Sequence, residues 1–362
     1  MAAFAFVRMA ADVQSVWRGA GATPQLHRTI AGVLRPGNRR TMTRVLVTGA
    51  TGFIGGPLCE SLARSGCVVR AALRMNRIVP DCIAEKIVVG EINSTCDWTA
   101  ALDGVDAVIH VAARAHVLHA PAALANSYAA ANERGTECLA IAAARANVRR
   151  FVFLSSVKVN GEETRDRPYT ARDEPRPQDA YAISKWHGEK FIGRIAAQSA
   201  METVVVRSPL VYGPRVRANF LHLLRSVDRG WPLPFGALHN RRSFVSVWNL
   251  CDLLVHVLKH PSAPGRTWMV SDAEDLSIAD LIRSIGSAMG RRVRLVPVPV
   301  RLLQLSGALL GRSAEISRLC GSLVVDITET RTELGWSPCI TVDEALARTI
   351  AWYRKEGQAL EI

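Results

Sequence analysis

The sequence predicts an α/β protein built on a doubly wound parallel sheet, with a smaller C-terminal lobe interleaved with it. Apolar runs at 44–48, 67–74, 86–90, 106–113 and 149–156 are separated by stretches with helical patterns. Strands that alternate with helices favour a parallel sheet covered by helices on both faces. The chain has 362 residues, of which 49% are hydrophobic, so it is long enough to enclose such a sheet.

Each of these runs is expected to be a buried strand, because parallel strands between two helical layers are apolar along their length. The helical stretch at 121–148 is expected to pack against the sheet and an adjacent subunit. A strand at 202–207 follows, and residues 245–260 are interpreted as a strand and helix that return the chain to the sheet. The sheet domain is therefore expected at 43–212 plus about 243–262, and the smaller lobe at about 213–242 and 263–356.

The formal net charge is +13, and much of the excess lies near the N-terminus, where residues 1–44 hold seven Arg and one Asp. Three interpretations are open for this segment: a targeting peptide, a flexible basic tail, or codons upstream of a true start at Met42. We favour the last, so residues 1–42 are expected to be a disordered or mis-assigned extension. The rest of the chain lacks the interleaved aromatic and basic residues that stack on bases, so no nucleic-acid partner is expected.

No run approaches the roughly 20 apolar residues that a membrane span needs. RLLQLSGALLGRS (301–313) is short and interrupted by polar residues, and it is interpreted as a partly buried lobe helix. The eight Cys are scattered without a C-x-x-C pair, which fits a reducing, cytoplasmic location. His110, His116 and His119 lie close in sequence, but no acidic residue accompanies them, so no metal site is expected.

A glycine turn, TGATGFIGG at 48–56, joins the first strand to the first helix. Gly49, Gly52 and Gly55 stand three residues apart in the order G-x-x-G-x-x-G. Without side chains, such a turn exposes backbone N–H groups and the helix N-terminus, which together attract the pyrophosphate of a dinucleotide. The sequence therefore predicts a Rossmann-type, NAD(P)-binding sheet domain.

The end of the second strand bears on the choice between the two dinucleotides. Sites that prefer NAD usually carry an acid there, which accepts a hydrogen bond from the ribose 2′-hydroxyl. No acid occurs between Glu60 and Asp81, and the strand ends at Arg74. Because a guanidinium suits a 2′-phosphate, NADP is favoured, with NAD as the alternative.

The stretch DAYAISKWHGEKF (179–191) places Tyr181 and Lys185 four residues apart on a predicted helix, and therefore on one face. An ordinary phenol has a pKa of about 10, so it keeps its proton at neutral pH and is not available as a base. A nearby ammonium would favour the phenolate and lower that pKa, so the pair can form an acid–base device. Ser155 and Ser156 end an apolar strand upstream, at the edge where parallel sheets bind ligands.

With these features the chain resembles the extended short-chain dehydrogenase/reductase family of nucleotide-sugar epimerases, dehydratases and ketoreductases. The resemblance covers roughly residues 43–356 and rests on TGATGFIGG, HVAA, LSSVKVNG, YAISK, RSPLVYGP and a closing TRTELGWSP with TVDEAL. HVAARAHV, FLSSVKVNGE, LVYGPRVRANF and HNRRSFVSV are similar to a bacterial subgroup labelled UDP-glucose 4-epimerase-like. Some members of that subgroup are assigned as 4-ketoreductases that make UDP-N-acetyl-deoxyhexoses for surface polysaccharide.

The resemblance implies roles for the residues of these motifs. Tyr181 would transfer a proton, Lys185 would lower its pKa and hold the nicotinamide ribose, and Ser156 would hydrogen-bond the reacting sugar oxygen. A hydride would pass between the nicotinamide and the sugar. The residues expected around the cofactor are Gly49, Thr51, Gly52, Phe53, Ile54, Gly55, Arg74, Glu91, Ile92, Ala112, Ala113, Ser155, Tyr181, Lys185, Pro209 and Val211.

The resemblance also implies a UDP-sugar site at the lobe. Leu233 and Phe235 would border the uracil, whereas Asn219 would contact the pyrophosphate. Arg242 would pair with a phosphate, and Arg318 is a weaker candidate. The residues expected at the substrate are Arg114, Ser156, Lys158, Asn219, Leu233, Phe235 and Arg242.

The choice of reaction rests on small differences within the family. Dehydratases carry an Asp–Glu pair beside the catalytic Thr, whereas this chain has Ser156-Val157-Lys158, which argues against dehydration. The absent acid after the second strand favours reduction of a UDP-4-keto-N-acetyl-deoxyhexose. A UDP-hexose 4-epimerase with tightly held NAD is the alternative, and a catalytically silent NADP-binding regulator is the alternative of another class. The resemblance also implies a homodimer, which is the usual assembly in this family.

Overall fold

The computed structural model describes residues 43–114, 128–309, 311 and 313–357, and the statements below concern those residues. The expected N-terminal extension at 1–42, together with His116 and His119, lies outside them. The first part of the helical stretch at 121–148 also lies outside them.

A seven-stranded parallel sheet forms the centre of the described fold. The strands of the described chain are β1 (Arg44–Thr48), β2 (Val68–Leu73), β3 (Glu85–Val88), β4 (Ala107–His110), β5 (Arg150–Ser156), β6 (Glu202–Ser208), β7 (Leu210–Tyr212), β8 (Arg242–Ser246), β9 (Arg266–Met269) and β10 (Asp275–Leu276). The order in the large sheet is β3-β2-β1-β4-β5-β6-β9, which confirms the predicted doubly wound, Rossmann-type architecture. The order reverses between β1 and β4, the position at which such sheets bind ligands.

The third strand differs from the prediction of a buried strand. β3 lies at the edge of the sheet and pairs with β2 on one side. Its residues alternate between half-buried and exposed, and Val88 is exposed. An edge strand has a neighbour on one side only, so its apolar sequence did not ensure burial.

Helices connect the strands and cover both faces of the sheet. They are α1 (Gly55–Arg64), α2 (Thr99–Leu102), α3 (Gly135–Arg145), α4 (Ala180–Ala197), α5 (Ala218–Asp228), α6 (Val247–Lys259), α7 (Ile278–Met289), α8 (Val300–Leu309), α9 (Ser313–Cys320), α10 (Thr328–Leu334) and α11 (Val342–Lys355). A π-helical turn at Ala129–Arg134 runs into α3, and a 3₁₀ turn at Val157–Val159 follows β5. Asp179 and Ser246 accept backbone N–H groups at the starts of α4 and α6, which fixes where these helices begin.

The two faces of the large sheet are covered by different helices. On one face, Leu58 of α1 and Leu254 of α6 belong to a core with the strands. On the other face, Leu139 of α3 and Ile192 of α4 pack in a core with Phe151 of β5. Helix α4 is therefore held against the sheet along its apolar side, which determines the direction in which its polar residues point.

Strands β7 and β8 fall inside the range expected for the sheet domain, and with β10 they form a three-stranded sheet, in the order β10-β8-β7, beside the smaller lobe. Fully buried Leu224, Ile282 and Leu346, from α5, α7 and α11, belong to its core. Strand β9 falls inside the range expected for the lobe, yet it pairs with β6 in the large sheet. The chain therefore passes between the two parts of the fold more than once.

The segment interpreted as a partly buried lobe helix forms α8, which is partly buried as expected. In α8, Leu303 and Gly307 are buried, whereas Leu302, Leu305 and Leu309 are exposed. Only one narrow side of the helix, which includes Leu303, meets the lobe core. None of the helices in the described residues is long and apolar enough to cross a membrane.

Candidate active site

The glycine turn between β1 and α1 depends on residues without side chains. Gly49 adopts a φ of 71°, and its carbonyl oxygen accepts the N–H of Gly52 at 2.9 Å. A Cβ on Gly49 would lie 2.9 Å from backbone atoms of Ala112, and a Cβ on Gly55 would overlap the Gly49 carbonyl. The glycines therefore allow α1 to start directly against the ends of β1 and β4.

The start of α1 has the properties of an anion site. Ile54, at the N-cap, makes no side-chain hydrogen bond to the helix, and the first turn holds no acidic residue. Gly52 is exposed. Backbone N–H groups and the positive end of the helix dipole therefore suit a pyrophosphate, so the turn fits the predicted dinucleotide.

His110 is a buried link between β4, β1 and the helix beside them. Its Nδ1 lies 2.6 Å from Thr48 Oγ1, and its Nε2 lies 2.9 Å from Thr136 Oγ1. Thr136 donates to the carbonyl of Asn132 at 2.7 Å, so Nε2 of His110 must carry the hydrogen and Nδ1 accepts from Thr48. Burial, and then the charge of Lys185, lower the pKa of His110 to about 3, which keeps the imidazole neutral.

Asn132, in the π-helical turn, holds the loop that follows β4. Its Oδ1 accepts the N–H of Arg114 at 2.8 Å, and its Nδ2 donates to the Arg114 carbonyl at 3.0 Å. The same Nδ2 donates to Ser184 Oγ of α4 at 3.2 Å. Ala112, in the same loop, donates its N–H to Thr48 Oγ1 at 3.2 Å. These bonds join the loop expected at the cofactor to the helix that carries Tyr181.

Helix α4 places Tyr181 and Lys185 on a side that faces the end of β5. Lys185 is buried, and its Nζ donates to the carbonyl of Leu154 at 2.8 Å. That ammonium also lies 4.6 Å from the centre of the Phe153 ring. Tyr181 is half-buried, with its ring edge-to-face against Tyr128 at a centroid distance of 6.3 Å. Lys185 therefore meets the strand that ends in Ser156, and Tyr181 lies about one helical turn before it on α4.

The protonation of this pair differs from the expectation of an acidic tyrosine. Burial, and then the charge of Asp179, raise the pKa of Tyr181 above its usual value. Burial also lowers the pKa of Lys185 to about 7, an effect that Glu189 partly offsets. The spacing of Tyr181 and Lys185 predicted an ammonium near the phenol, but it did not predict how deeply the two side chains are buried. Burial has the largest effect on both pKa values.

Ser155 and Ser156 end β5 as expected, but their hydroxyl groups have different partners. Ser155 Oγ donates to the carboxylate of Glu189 on α4. Ser156 Oγ accepts the N–H of Lys158 at 3.3 Å and begins the 3₁₀ turn. Glu189 in turn pairs with Arg207 of β6, with Nε–Oε1 and Nη2–Oε2 distances of 3.0 and 2.6 Å. The pair is almost fully buried.

Lys158 lies between two carboxylates close to the start of α4. Its Nζ is 2.6 Å from Asp179 Oδ2 and 3.0 Å from Glu162 Oε1. Burial raises the pKa of Asp179, but hydrogen bonds from Lys158 and the Ala182 N–H outweigh burial and hold it below its usual value. Glu162 also lies 3.6 Å from Arg318 Nε. Lys158 and Arg318, both considered as substrate contacts, therefore share an acidic partner.

Glu91 connects two of the predicted site arginines. One carboxylate oxygen lies 3.3 Å from Arg74 Nη1, and the other lies 3.3 Å from Arg114 Nη2. All three side chains are exposed to a similar degree. An acid is absent from the end of β2, but Glu91, from the segment after β3, lies beside Arg74.

Arg242 differs from the expectation of a free phosphate-binding group. Its Nη1 donates to the carbonyl oxygens of Arg318 at 2.6 Å and Gly321 at 2.9 Å. Burial lowers the pKa of its guanidinium, while the charge of Glu162 opposes that effect. At least one nitrogen of Arg242 therefore serves to hold the chain around 318–321.

The remaining predicted residues are distributed between the sheet edge and the lobe. Leu233 is buried and Phe235 half-buried against the lobe core, whereas Asn219 is exposed on the first turn of α5. Pro209 is buried between β6 and β7, and Val211 pairs with Val245 of β8. The other predicted cofactor residues, at the glycine turn or after β3 and β4, are Thr51, Phe53, Ile92 and Ala113.

Several polar residues of this site were not identified from the sequence. The four-residue spacing from Lys185 to Glu189 is visible in the sequence, but its partner Arg207 depends on which strands are neighbours. No sequence pattern pointed to Asn132, because a π-helical turn cannot be recognised from its residue types. Within the described ranges, no group of three or more His, Cys, Asp and Glu side chains is arranged to hold a metal ion.

Comparisons with known proteins found relatives in sequence and in fold. The UDP-glucose 4-epimerase of Vibrio cholerae is 40% identical over 317 residues, which cover 86% of this chain and 96% of that protein. MoeE5, solved in complex with UDP-glucuronic acid and NAD, is 25% identical with a TM-score of 0.70, covering 86% of this chain and 99% of that one. The Bordetella bronchiseptica enzyme WbmG, solved in complex with NAD, shares the fold at 22% identity, with a TM-score of 0.69 and coverages of 88% and 96%.

The sequence model of a single protein family matches residues 45–271, which is more than half of the chain. The matched range contains the glycine turn, the Tyr181–Lys185 helix and the strand that ends in Ser156. The protein belongs to the NAD-dependent epimerase/dehydratase family.

Proposed function

We propose that the protein interconverts UDP-hexoses at the sugar C4 as an NAD-dependent 4-epimerase. The observation that carries this proposal is the hydrogen bond from Lys185 to the Leu154 carbonyl, because it brings the Tyr181 face of α4 to the strand end that holds Ser156. The likeness to the Vibrio cholerae epimerase supports the choice of reaction.

The proposed roles follow from the chemistry of these side chains. Ser156 hydrogen-bonds the C4 oxygen and orients it toward Tyr181, and Tyr181 exchanges a proton with that oxygen. Lys185 holds a ribose hydroxyl of the dinucleotide and stabilises the phenolate when Tyr181 loses its proton. Bound NAD would accept the C4 hydride and return it to the opposite face of the sugar, so no net oxidation occurs.

The glycine turn and the start of α1 are the proposed site of the NAD pyrophosphate. On the substrate side, the proposed contacts to the UDP-sugar come from Asn219, Leu233 and Phe235 in the lobe, with Arg242 near a phosphate. Arg114 and Lys158 are proposed to lie near the sugar, and their ion pairs to Glu91 and Glu162 would orient them.

A second candidate is the reduction of a UDP-4-keto-N-acetyl-deoxyhexose. The raised pKa of Tyr181 favours it over epimerisation only in that burial disfavours the phenolate, so Tyr181 starts as the protonated phenol that a keto oxygen needs as its proton donor. Epimerisation requires the same phenol to act first as a base. A silent NADP-binding regulator has no need for the Tyr181, Lys185 and Ser156 arrangement.

We also propose that the protein is a homodimer. The outer side of α4 is lined by His187, Lys190, Phe191 and Arg194 and carries exposed Ile183. Phe191 and Ile183 supply apolar area among these basic residues that suits contact with a second copy. Light scattering of the purified protein at several concentrations measures the assembly.

One set of assays distinguishes the two reactions. Interconversion of UDP-glucose and UDP-galactose with NAD and without net redox would support the epimerase. Oxidation of NADH or NADPH by the UDP-4-keto sugar, without interconversion of the hexoses, would replace it with the reductase. Tyr181→Phe should lower either rate at least about a hundredfold, whereas the matched control Tyr353→Phe, which removes a lobe hydroxyl 3.3 Å from Asp228, should retain it. A fully active Tyr181→Phe protein would contradict both candidates.

A further inference from the structure

Helix α8 presents an unusual row of exposed leucines. Leu302, Leu305 and Leu309 are 55%, 57% and 80% exposed. Their spacing of three and four residues places them on one face of the helix. Single exposed apolar residues are common on protein surfaces, but a contiguous group of large ones indicates a site that binds a protein, a membrane or a ligand.

Two further exposed apolar side chains come from two paired segments, one of which leads into this helix. Trp231 and Val296 are 52% and 44% exposed. Their segments run side by side, because Leu233 donates its N–H to the Arg294 carbonyl and the Val296 N–H donates to the Leu233 carbonyl, both at 2.8 Å. Helix α8 begins four residues after Val296. We call Trp231, Val296, Leu302, Leu305 and Leu309 the apolar lobe face.

The segment that contains most of this face is rich in arginine. From Leu281 to Ala314 the sequence holds six Arg and no acidic residue. Arg292, Arg294 and Arg301 are exposed, and in the part of the chain that the structure describes no ion pair engages their side chains. A fourth guanidinium, that of Arg229, stacks 5.0 Å from the centre of the Trp231 ring.

We propose that the apolar lobe face is a docking surface for an anionic phospholipid membrane. Exposed leucines and a tryptophan beside uncompensated arginines match the boundary between headgroups and acyl chains, where apolar groups insert and cations meet phosphates. A second copy of this chain fits less well, since a two-fold contact through the same face would bring the unpaired arginines together. This inference goes beyond the proposed reaction and does not depend on it.

Vesicle co-sedimentation of the full chain tests the proposal. Vesicles of mixed phosphatidylglycerol and phosphatidylcholine should bind the protein, whereas pure phosphatidylcholine vesicles should bind it far less. Leu302→Gln/Leu305→Gln/Leu309→Gln should weaken binding to the anionic vesicles more than about tenfold. Arg292→Gln/Arg294→Gln/Arg301→Gln should weaken it on the order of a hundredfold, and raising the salt concentration should weaken wild-type binding.

The controls separate this surface from other causes. Ile78→Gln removes an apolar side chain that is 95% exposed in the sheet domain, and it should leave vesicle binding unchanged. All variants retain residues 1–42, so a contribution from that basic segment cancels in the comparison. Circular dichroism confirms that each variant is folded.

Three results would overturn the proposal. The wild type could fail to bind anionic vesicles, or the triple Leu variant could bind them as tightly as the wild type. Alternatively, the triple Leu variant could change the oligomeric state in light scattering, in which case the face joins two copies of the chain.

Discussion

The Nζ of Lys185 lies 2.8 Å from the carbonyl oxygen of Leu154, two residues before the end of β5. This bond holds a nearly inaccessible ammonium between helix α4 and the sheet. Burial lowers the pKa of Lys185 to about 7, well below its value in an unfolded chain. The arrangement therefore favours the proposed chemistry at the expense of folding free energy.

Replacing Lys185 by Met should separate these two effects. Activity should fall at least about a hundredfold, because Tyr181 loses the cation that stabilises its phenolate. The free energy of unfolding at pH 6 should not fall, since the variant no longer buries a charged ammonium. In the wild type the folded protein binds fewer protons than the unfolded chain between pH 7 and about 10, so stability should rise with pH in this window.

Urea unfolding at pH 6 and pH 9 measures this prediction. The increase from pH 6 to pH 9 should be smaller in Lys185→Met than in the wild type. Lys190→Met, on the exposed side of the same helix and 4.0 Å from the Trp186 ring, is the matched control and should keep the increase. An equal increase in Lys185→Met and in the wild type would contradict the pKa assigned to Lys185.

The buried pair of Glu189 and Arg207 should be the most sensitive ion pair to single substitutions. Glu189→Gln leaves the Arg207 guanidinium buried without a carboxylate, which should cost about 3–5 kcal/mol of unfolding free energy. The double variant Glu189→Met/Arg207→Met should cost less than the sum of the two single changes to Met, because no lone charge remains.

An exposed pair provides the comparison for Glu189 and Arg207. Glu344 and Arg348 are separated by 2.6 Å on α11 and are about half exposed. Glu344→Gln should cost less than about 1 kcal/mol in the same urea experiment. Similar costs at the buried and exposed pairs would show that Glu189 does not anchor Ser155 and Arg207 as described.

His110 should make the protein sensitive to acid. Its folded pKa of about 3 lies below the usual value, so the unfolded chain takes up a proton that the folded protein does not. The contribution of His110 to the free energy of unfolding is therefore full above about pH 6.5. It is lost as the pH falls toward 3, by at most about 1.4 kcal/mol per pH unit. His110→Gln should flatten the dependence of unfolding free energy on pH between 4 and 6.5. His222→Gln, at an exposed position of α5, should not flatten it, and an unchanged slope in His110→Gln would refute the assignment.

Much of the fold could be predicted because its signals are local. The alternation of apolar runs with helical stretches predicted the parallel sheet, and the three glycines predicted the turn at its switch point. The edge position of β3 could not be predicted in this way, because burial of a strand depends on its neighbours. The partial burial of α8 was predicted from its interrupting polar residues, but which of its leucines are covered depends on the elements that pack against it.

The residues of the candidate site were easier to predict from the sequence than the interactions between them. The spacing of Tyr181 and Lys185 placed both on one helix face, as α4 confirms. The sequence pattern did not indicate the burial that raises the pKa of Tyr181. Nor did it indicate the pairing of Arg74 with Glu91, because the two residues are 17 positions apart and meet only through the β2–β3 register.

The pairing of Glu91 with Arg74 leads to a prediction about cofactor preference. A carboxylate 3.3 Å from the Arg74 guanidinium offsets the charge that would attract a 2′-phosphate, and it would repel that phosphate directly. The wild-type protein should therefore bind NADH more tightly than NADPH. Glu91→Gln should increase the affinity for NADPH relative to NADH by about tenfold, equivalent to about 1.4 kcal/mol.

Fluorescence titration with the two reduced dinucleotides measures this preference. Glu85→Gln is the control, because Glu85 pairs with Arg44 and Arg70 at the opposite end of β3 and should not alter the ratio of the two affinities. Arg74→Gln in the Glu91→Gln background should remove the gain, since the guanidinium is the group that would bind the 2′-phosphate. Tighter binding of NADPH than of NADH by the wild type would show that Arg74 acts despite its acidic neighbour, and would restore the preference for NADP that the sequence favoured.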